Sequence, residues 1–133
     1  MEALYLDTHV VIWLRQKELA KFSNTALENI EKAHILLISP IVELELKFLQ
    51  EIGRIDDTPY NIIGDLNAMI GLKIDEISLS EVIQKGMLIE WTRDPFDRLI
   101  VAHAMAKGNP LLTKDDKILF HFSEAIWNQR TPS

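Results

Sequence analysis

The sequence predicts an α/β fold in which a mostly parallel sheet of roughly five strands is covered by helices on both faces, giving three layers. Short apolar segments alternate with longer amphipathic segments along the chain. Alternation of strands with helices is typical of parallel sheets. The first apolar segment, LYL, runs directly into Asp7 and is followed by the helical pattern VVIWL. This is the pattern of a buried strand that leads into a helix.

The predicted elements follow one another without a repeat, a low-complexity tract or a linker. Strands are predicted at residues 3–7, 35–39, 72–77, 110–113 and 125–127. Helices are predicted at residues 10–16, 24–33, 40–52, 59–70, 80–89, 95–107 and 116–122. The chain is therefore interpreted as one domain, 1–133. The polar tail, residues 128–133, is expected to fray.

Composition narrows the class of protein. The 133 residues include no cysteine, and no apolar run has the length of a membrane span. The amino end lacks the apolar segment of a secretory signal. We therefore expect a cytoplasmic protein without disulfides or a membrane partner. The net charge of −6 disfavours extended contact with nucleic acid, because phosphate-binding surfaces are normally basic.

Two carboxylates lie where predicted strands end. Asp7 follows the first strand, and Asp115 follows the strand that ends at Thr113. The carboxyl ends of parallel strands form the crevice in which open α/β sheets bind ligands, so these two acids are expected to converge. Capping of the last helix is a simpler explanation for Asp115 or Asp116 taken alone. Thr8 and Thr113 could orient the acids, although turn formation is the simpler role for them.

The helix 40–52 carries two acids that face in different directions. Ser39 as the cap and Gly53 as the terminator fix its frame. At about 100° per residue, one apolar stripe contains Ile41, Glu45, Phe48 and Ile52. Glu43 lies roughly opposite this stripe. Glu45 is therefore the buried candidate and Glu43 the solvated one, although Glu45 alone could be a satisfied buried glutamate.

Asp97 has two interpretations of equal weight. On a helical wheel of residues 95–107 it lies in line with Val101 and Ala104, which suggests that it faces inward. Asp94 before Pro95 is also a good N-cap, and Asp97 is then an acid in the first turn, where the helix dipole favours it. A role for Asp97 in a functional site is favoured because four acids, on four separate elements, are predicted near one edge of the sheet.

Four carboxylates in one crevice need a compensating charge. At an effective dielectric constant near 20, two ionised carboxylates about 5 Å apart repel by about 3 kcal/mol, and the summed repulsion among four is on the order of 10 to 20 kcal/mol. That is comparable to the whole free energy of unfolding of such a domain. An all-oxygen ligand set selects Mg²⁺ or Mn²⁺ rather than Zn²⁺. The predicted ligands are Asp7, Glu45, Asp97 and Asp115.

The segments that carry these acids resemble, in order, those of PIN-domain ribonucleases, and in particular the VapC-like toxins of prokaryotic toxin-antitoxin pairs. The matching segments are LDTHVVIWL from Leu6, SPIVELELKFLQEIGRI from Ser39, RDPFDRLIVAHA from Arg93 and LLTKDDKI from Leu111. On them the four acids of the family fall on Asp7, Glu45, Asp97 and Asp115. Thr92 stands where a histidine is common, and Glu43 is an extra acid. Neither departure touches the four family acids.

The resemblance implies a PIN-like fold and a metal-dependent endoribonuclease that leaves a 3′-hydroxyl and a 5′-phosphate. It implies that the four acids bind Mg²⁺ or Mn²⁺, that RNA is the substrate, that an antitoxin protein is a partner and that the chain forms a homodimer. The alternative is a PIN-like module that binds RNA or protein without cutting it. All four acids are present, which favours the enzyme.

A second apolar stripe on the helix 40–52 suggests where a partner binds. Val42, Leu46 and Leu49 adjoin the stripe that contains Glu45. One contact with the core seldom needs so wide an apolar surface. The second stripe is interpreted as a homodimer face or a groove for an antitoxin peptide, unless the helix is covered on both sides within the domain.

Overall fold

A computed structural model of the protein describes residues 2–128, which contain five strands, seven α-helices and one turn of 3-10 helix. The strands are β1 (Ala3–Leu6), β2 (Ile35–Ile38), β3 (Lys73–Ile74), β4 (Leu111–Leu112) and β5 (Ala125–Ile126). The helices are α1 (Thr8–Arg15), α2 (Asn24–Lys32), α3 (Pro40–Glu51), α4 (Pro59–Ile70), α5 (Leu79–Gly86), α6 (Pro95–Lys107) and α7 (Asp116–His121). The 3-10 turn, Leu19–Lys21, was not predicted. The tail was predicted to fray, and its residues 129–133 lie outside the described range.

The sheet has the strand order β3-β2-β1-β4-β5, and all its neighbouring strands are parallel. The central strand β1 pairs with β2 through Leu4 and Leu36, and with β4 through Leu6 and Leu112. All four side chains of β1 are buried. Because successive side chains of a strand point to opposite faces, helices must cover both faces of the sheet. The predicted α/β fold with a five-stranded parallel sheet is confirmed.

The order of the strands reverses between β1 and β4. The chain leaves β1 towards β2 on one side and leaves β4 towards β5 on the other. In open α/β sheets such a reversal opens a crevice at the carboxyl ends of the two strands, and ligands bind there. The segments that begin at Asp7 and Thr113 meet at this place, where Thr113 bonds to Asp7.

Helix α3 presents a different face to the core than the sequence suggested. Its buried residues are Val42, Leu46 and Leu49, the stripe that was interpreted as a partner surface. On the other stripe, Ile41 and Glu45 are half-buried, and Phe48 and Ile52 are exposed. The assignment of the partner surface was therefore wrong. A helical wheel gives the angle between two apolar stripes, but it does not show which of them the rest of the domain covers.

The other differences are confined to the ends of elements. Helix α1 begins at Thr8, earlier than the predicted residue 10, and α5 ends at Gly86, earlier than the predicted residue 89. The shift of α1 is within the one or two residues by which helix ends commonly vary, whereas α5 ends three residues before the predicted end. None of the helices within residues 2–128 combines the length and apolar composition needed to cross a membrane.

Candidate functional site

Asp7 is a buried carboxylate at the end of the central strand, with 6% of its surface exposed. Its Oδ1 accepts a hydrogen bond from the backbone N–H of Thr8 at 2.8 Å, and its Oδ2 accepts one from the hydroxyl of Thr113 at 2.6 Å. The first bond caps α1 and explains why that helix begins at Thr8. Burial raises the pKa of Asp7, and the two hydrogen bonds oppose the shift. Asp7 is thus held in one orientation.

Glu45 approaches the same turn from α3. The hydroxyl of Thr8 donates to its Oε1 at 2.5 Å. The pKa of Glu45 is raised to about 7, chiefly by burial and also by the charges of Asp7 and Asp94, while the bond from Thr8 opposes the shift. Glu43 is exposed on the same helix. Glu45 is therefore less exposed to solvent than Glu43, as the helical wheel indicated.

Asp97 lies in the first turn of α6, but it is not the residue that caps this helix. Oδ1 of Asp94 accepts hydrogen bonds from the backbone N–H groups of Phe96, at 2.9 Å, and of Asp97, at 3.2 Å. Within residues 2–128, no protein group donates a hydrogen bond to the Asp97 carboxylate. Burial and the negative charges of the surrounding acids, in order of size Asp7, Asp94, Asp115 and Glu45, together raise its pKa to about 7. Asp97 therefore lies among the other acids without a compensating donor.

Asp115 has a capping role as well as a place in the site. Its Oδ1 accepts a hydrogen bond from the backbone N–H of Ile118 at 2.9 Å and caps α7. Its own N–H donates to the hydroxyl of Thr113 at 3.1 Å, the threonine that also bonds to Asp7. The charge of Asp115 raises the pKa of both Asp7 and Asp97. The cap fixes the carboxylate at the edge of the crevice, so capping and proximity to the other acids coexist.

The four predicted acids are neighbours rather than a closed ligand set. Asp115 acts on Asp7, Asp7 acts on Glu45, and all three act on Asp97. However, within the described part of the chain no three His, Cys, Asp or Glu side chains are arranged to hold one metal ion. A metal that binds here would therefore need either movement of the side chains or water between some carboxylates and the ion.

The chemistry of the donors nevertheless fits a hard divalent cation. Protein hydrogen bonds in the described range occupy one oxygen of Glu45, one of Asp115 and neither of Asp97. Mg²⁺ prefers oxygen ligands, retains several waters and is commonly bound through only one or two carboxylates. The available oxygens meet that requirement. The pKa of Asp97 is raised by burial and by the charges of four neighbouring acids, and a cation bound beside it would oppose both effects.

Sequence reasoning undervalued three residues around the acids. Thr8 and Thr113 are fully buried, and their hydroxyls donate to Glu45 and Asp7 rather than only closing turns. Asp94 was considered only as a cap, yet its charge also raises the pKa of two of the acids. The available signal in the sequence was a threonine close to each strand-end acid, since Thr8 directly follows Asp7 and Thr113 precedes Asp115 by two residues. That signal was ambiguous because threonine is also common in turns.

A second group of polar side chains was not predicted at all. His103, on α6, is 1% exposed and lies between the hydroxyl of Ser39, 3.0 Å from its Nδ1, and Oδ2 of Asp75, 3.1 Å from its Nε2. The hydroxyl of Tyr5 donates to the same carboxylate oxygen, and Nζ of Lys107 lies 3.6 Å from it. Burial raises the pKa of Asp75, but the bonds from Tyr5 and His103 and the charge of Lys107 outweigh it, so its pKa is lowered. We call these five residues the His103 network.

The sequence and the fold were compared with known proteins. Residues 4–123 match the family model described as PIN domain. The structure is similar to a chain in the crystal structure of VapBC2 from Rickettsia felis bound to a DNA fragment from their promoter, with 20% identity, a TM-score of 0.63, and coverage of 95% of this chain and 99% of that one. It is also similar to a chain of VapBC-1 from nontypeable Haemophilus influenzae, with 15% identity, a TM-score of 0.65, and coverage of 95% and 96%. A comparison with curated proteins found no significant match. The family match spans most of the chain, which therefore belongs to the PIN domain family.

Proposed function

We propose that this chain is a metal-dependent endoribonuclease, the toxin of a type II toxin-antitoxin pair, which hydrolyses RNA phosphodiester bonds to leave a 3′-hydroxyl and a 5′-phosphate. The observation that carries the proposal is the state of Asp97. It lies among the other acids with a pKa raised to about 7 and without a protein donor. Such a carboxylate is suited to bind a cation. The cation offsets both the cost of burying a charged group and the repulsion from the neighbouring acids.

The residues of the site have separate roles in this proposal. Asp7, Glu45, Asp97 and Asp115 would hold one or two Mg²⁺ or Mn²⁺ ions, directly or through water. A bound divalent ion supplies positive charge that polarises a phosphoryl oxygen and lowers the pKa of the attacking water. Thr113 and Thr8 orient Asp7 and Glu45 through their hydroxyl groups. No side chain of the site is assigned a covalent bond to the substrate.

The proposal is tested by RNA cleavage with one pair of variants on α3. Glu45→Gln removes a half-buried acid of the site, whereas Glu43→Gln removes an exposed acid of the same helix. Mg²⁺-dependent cleavage by the parent should stop in chelator, should be lost in Glu45→Gln and should be retained in Glu43→Gln. The ends of the products, 3′-hydroxyl and 5′-phosphate, identify the reaction. Equal cleavage by Glu45→Gln and the parent would overturn the assignment.

A PIN-like module that binds RNA or protein without cutting it is the second candidate. The observation in its favour is that no preformed set of three metal ligands lies within residues 2–128. The same assay separates the two candidates, because a binding module retains affinity for RNA but releases no product at any concentration of Mg²⁺ or Mn²⁺. The presence of all four acids in one crevice favours the enzyme.

The proposed partners are an antitoxin protein and a second copy of the chain. Both similar structures described above are VapBC proteins. Exposed apolar side chains of α3, namely Leu44, Phe48 and Ile52, are available for such contacts, in place of the buried stripe favoured by the sequence. Light scattering after size-exclusion chromatography should give twice the mass of the chain. A monomer over the whole concentration range would contradict the homodimer. The proposed role implies a cytoplasmic location.

A further inference from the structure

Two lysines and a histidine surround the indole of Trp13, which is on α1. Nζ of Lys21 lies 5.3 Å from the centroid of the indole, and Nζ of Lys114 lies 5.9 Å from it. The imidazole of His9 is 6.0 Å from the indole, between ring centroids. Lys21, Lys114 and His9 are exposed, and they come from the 3-10 turn, the loop after β4 and the first turn of α1. We call these four residues the Trp13 platform.

The platform borders the acidic site. Lys114 stands in sequence between Thr113, which bonds to Asp7, and Asp115, the cap of α7. His9 lies in the first turn of α1, the helix that Asp7 caps, two residues after that acid in sequence. A strand of RNA whose scissile phosphate reaches the acids therefore passes near the platform on one side of the crevice.

The indole is held in a fixed orientation by other aromatic rings. Phe22 meets it edge-on, with ring centroids 6.1 Å apart at 85°, and Trp127 does so at 6.0 Å and 66°. Phe22 and Trp127 are themselves buried. A ring fixed in this way gives the two lysines a defined place, because ammonium groups are attracted to the face of an indole.

The charge of the platform is only partly balanced by the protein. Glu18 pairs with Lys21, with 3.3 Å between Oε2 and Nζ. Within residues 2–128, no carboxylate forms an ion pair with Lys114. Two like charges drawn to one ring repel each other, so an anion that binds between or beside them is stabilised. The chain as a whole carries a net charge of −6, so the positive charge of the platform contrasts with the balance of the whole chain.

We propose that the Trp13 platform binds the sugar-phosphate backbone of single-stranded RNA beside the bond that the acids cut. Lys21 and Lys114 contact phosphate oxygens, and the exposed ring of His9 stacks on a base. Cations combined with stacking rings are the usual means of binding single strands. The inference rests on the proposed function for the identity of the ligand. It explains how a chain with a net charge of −6 can hold RNA, since the platform supplies positive charge beside the acids.

The test is RNA binding measured in chelator, where metal-dependent cleavage does not occur. Fluorescence anisotropy with a labelled single-stranded oligouridylate gives the affinity of the parent, Lys21→Gln, Lys114→Gln and a control, Lys73→Gln. Lys73 is an exposed lysine of β3, at the edge of the sheet. Lys114→Gln should weaken binding about 3- to 10-fold and reduce the slope of log affinity against log salt by about 0.7, the value expected for one lost phosphate contact. The control should leave the slope unchanged.

The outcomes separate this inference from the proposed function. Equal affinities and slopes for Lys114→Gln and Lys73→Gln would overturn the platform, whether or not the chain cuts RNA. Weaker binding by Lys114→Gln with an unchanged salt slope would also overturn it, because the lysine would then act only by supporting Trp13. A chain that binds through the platform but never cleaves would instead overturn the nuclease and leave the platform in place.

Discussion

Asp75 and Asp97 are both half-buried acids, and helix α6 contributes to the surroundings of each. Asp75 accepts hydrogen bonds from Tyr5 and His103, and its pKa is lowered. Asp97 has other acids around it, and burial together with their charge raises its pKa to about 7. One acid has hydrogen-bond donors from the protein, whereas the carboxylate of the other has none within residues 2–128.

This difference separates structural acids from acids that are available to a ligand. Burial alone does not distinguish the two kinds of acid, because the effect of burial is to raise the pKa in both cases, even though the net pKa of Asp75 is lowered. The hydrogen-bond donors distinguish the two acids. The His103 network supplies donors to Asp75, whereas the backbone N–H groups at the start of α6 donate to Asp94 and not to the carboxylate of Asp97. Removing a member of the His103 network should therefore destabilise the fold, and removing a charge from the acids around Asp97 should stabilise it.

The largest expected effect is the loss of His103. His103→Leu takes one hydrogen-bond partner from the buried hydroxyl of Ser39 and one from the half-buried carboxylate of Asp75, which should lower the free energy of unfolding by about 2 to 4 kcal/mol. Urea denaturation measures the change. His34→Leu, at an exposed histidine, is the matched control and should differ little from the parent. A His103→Leu variant as stable as the parent would show that the network is not structural.

The next effect is the dependence of stability on pH in chelator. Asp97 and Glu45 have a pKa of about 7 in the folded chain, above their ordinary values of 3.8 and 4.5. Between these values the folded state binds more protons than the unfolded state, so the free energy of unfolding should fall as the pH rises from about 4 to about 7. Solvent screening of two half-buried groups limits the total fall to about 2 to 3 kcal/mol.

Urea denaturation at pH 5 and pH 8 in chelator measures this fall. The double variant Glu45→Gln, Asp97→Asn should reduce this fall, because neither amide titrates, and what remains is assigned to Asp7, whose pKa is also raised. Stability that increased steadily from pH 5 to pH 8 in the parent would contradict the raised pKa of both acids.

A smaller effect, of opposite sign to the first, is expected for Asp97 alone. At pH 8 in chelator, Asp97→Asn should raise the free energy of unfolding by about 1 to 2 kcal/mol, since it removes repulsion from a half-buried place. Loss of an acid from the first turn of a helix costs about 0.3 to 1 kcal/mol and reduces the gain. Asp116→Asn, in the first turn of α7, is the control for that cost. A variant that melts below the parent yet keeps its full stabilisation by Mg²⁺ would identify Asp97 as a helix residue and not a ligand.

The smallest effect on stability is expected for Thr113→Val, which removes the hydroxyl that donates to Asp7. The loss of this bond should cost about 1 kcal/mol, partly offset by the removal of a buried polar group. Affinity for Mn²⁺ should fall about 10- to 100-fold, because Asp7 loses the contact that orients it. Thr25→Val on α2 is the control, since that threonine is bonded through its backbone carbonyl. Unchanged affinity for Mn²⁺ would show that Thr113 does not orient Asp7 for metal binding.

The fold was predictable because its signals are local. The apolar segment before Asp7, the cap at Ser39 and the proline at residue 95 each define an element without reference to the rest of the chain. The acids could be placed at strand ends for the same reason. The His103 network could not be predicted, since Tyr5, Asp75 and His103 are joined only through the tertiary fold. The core-facing side of α3 was misjudged because both of its stripes are apolar.

Calorimetric titration with Mn²⁺ tests most directly the central claim, that the acids around Asp97 form the metal site. The parent, Asp97→Asn and Glu43→Gln are titrated under identical conditions at pH 7.5, where about three quarters of a group with a pKa near 7 is ionised. We expect the parent and Glu43→Gln to bind Mn²⁺ with the same affinity and Asp97→Asn to bind it at least about 10-fold more weakly. Binding of Mn²⁺ by Asp97→Asn with the affinity of the parent would contradict the claim.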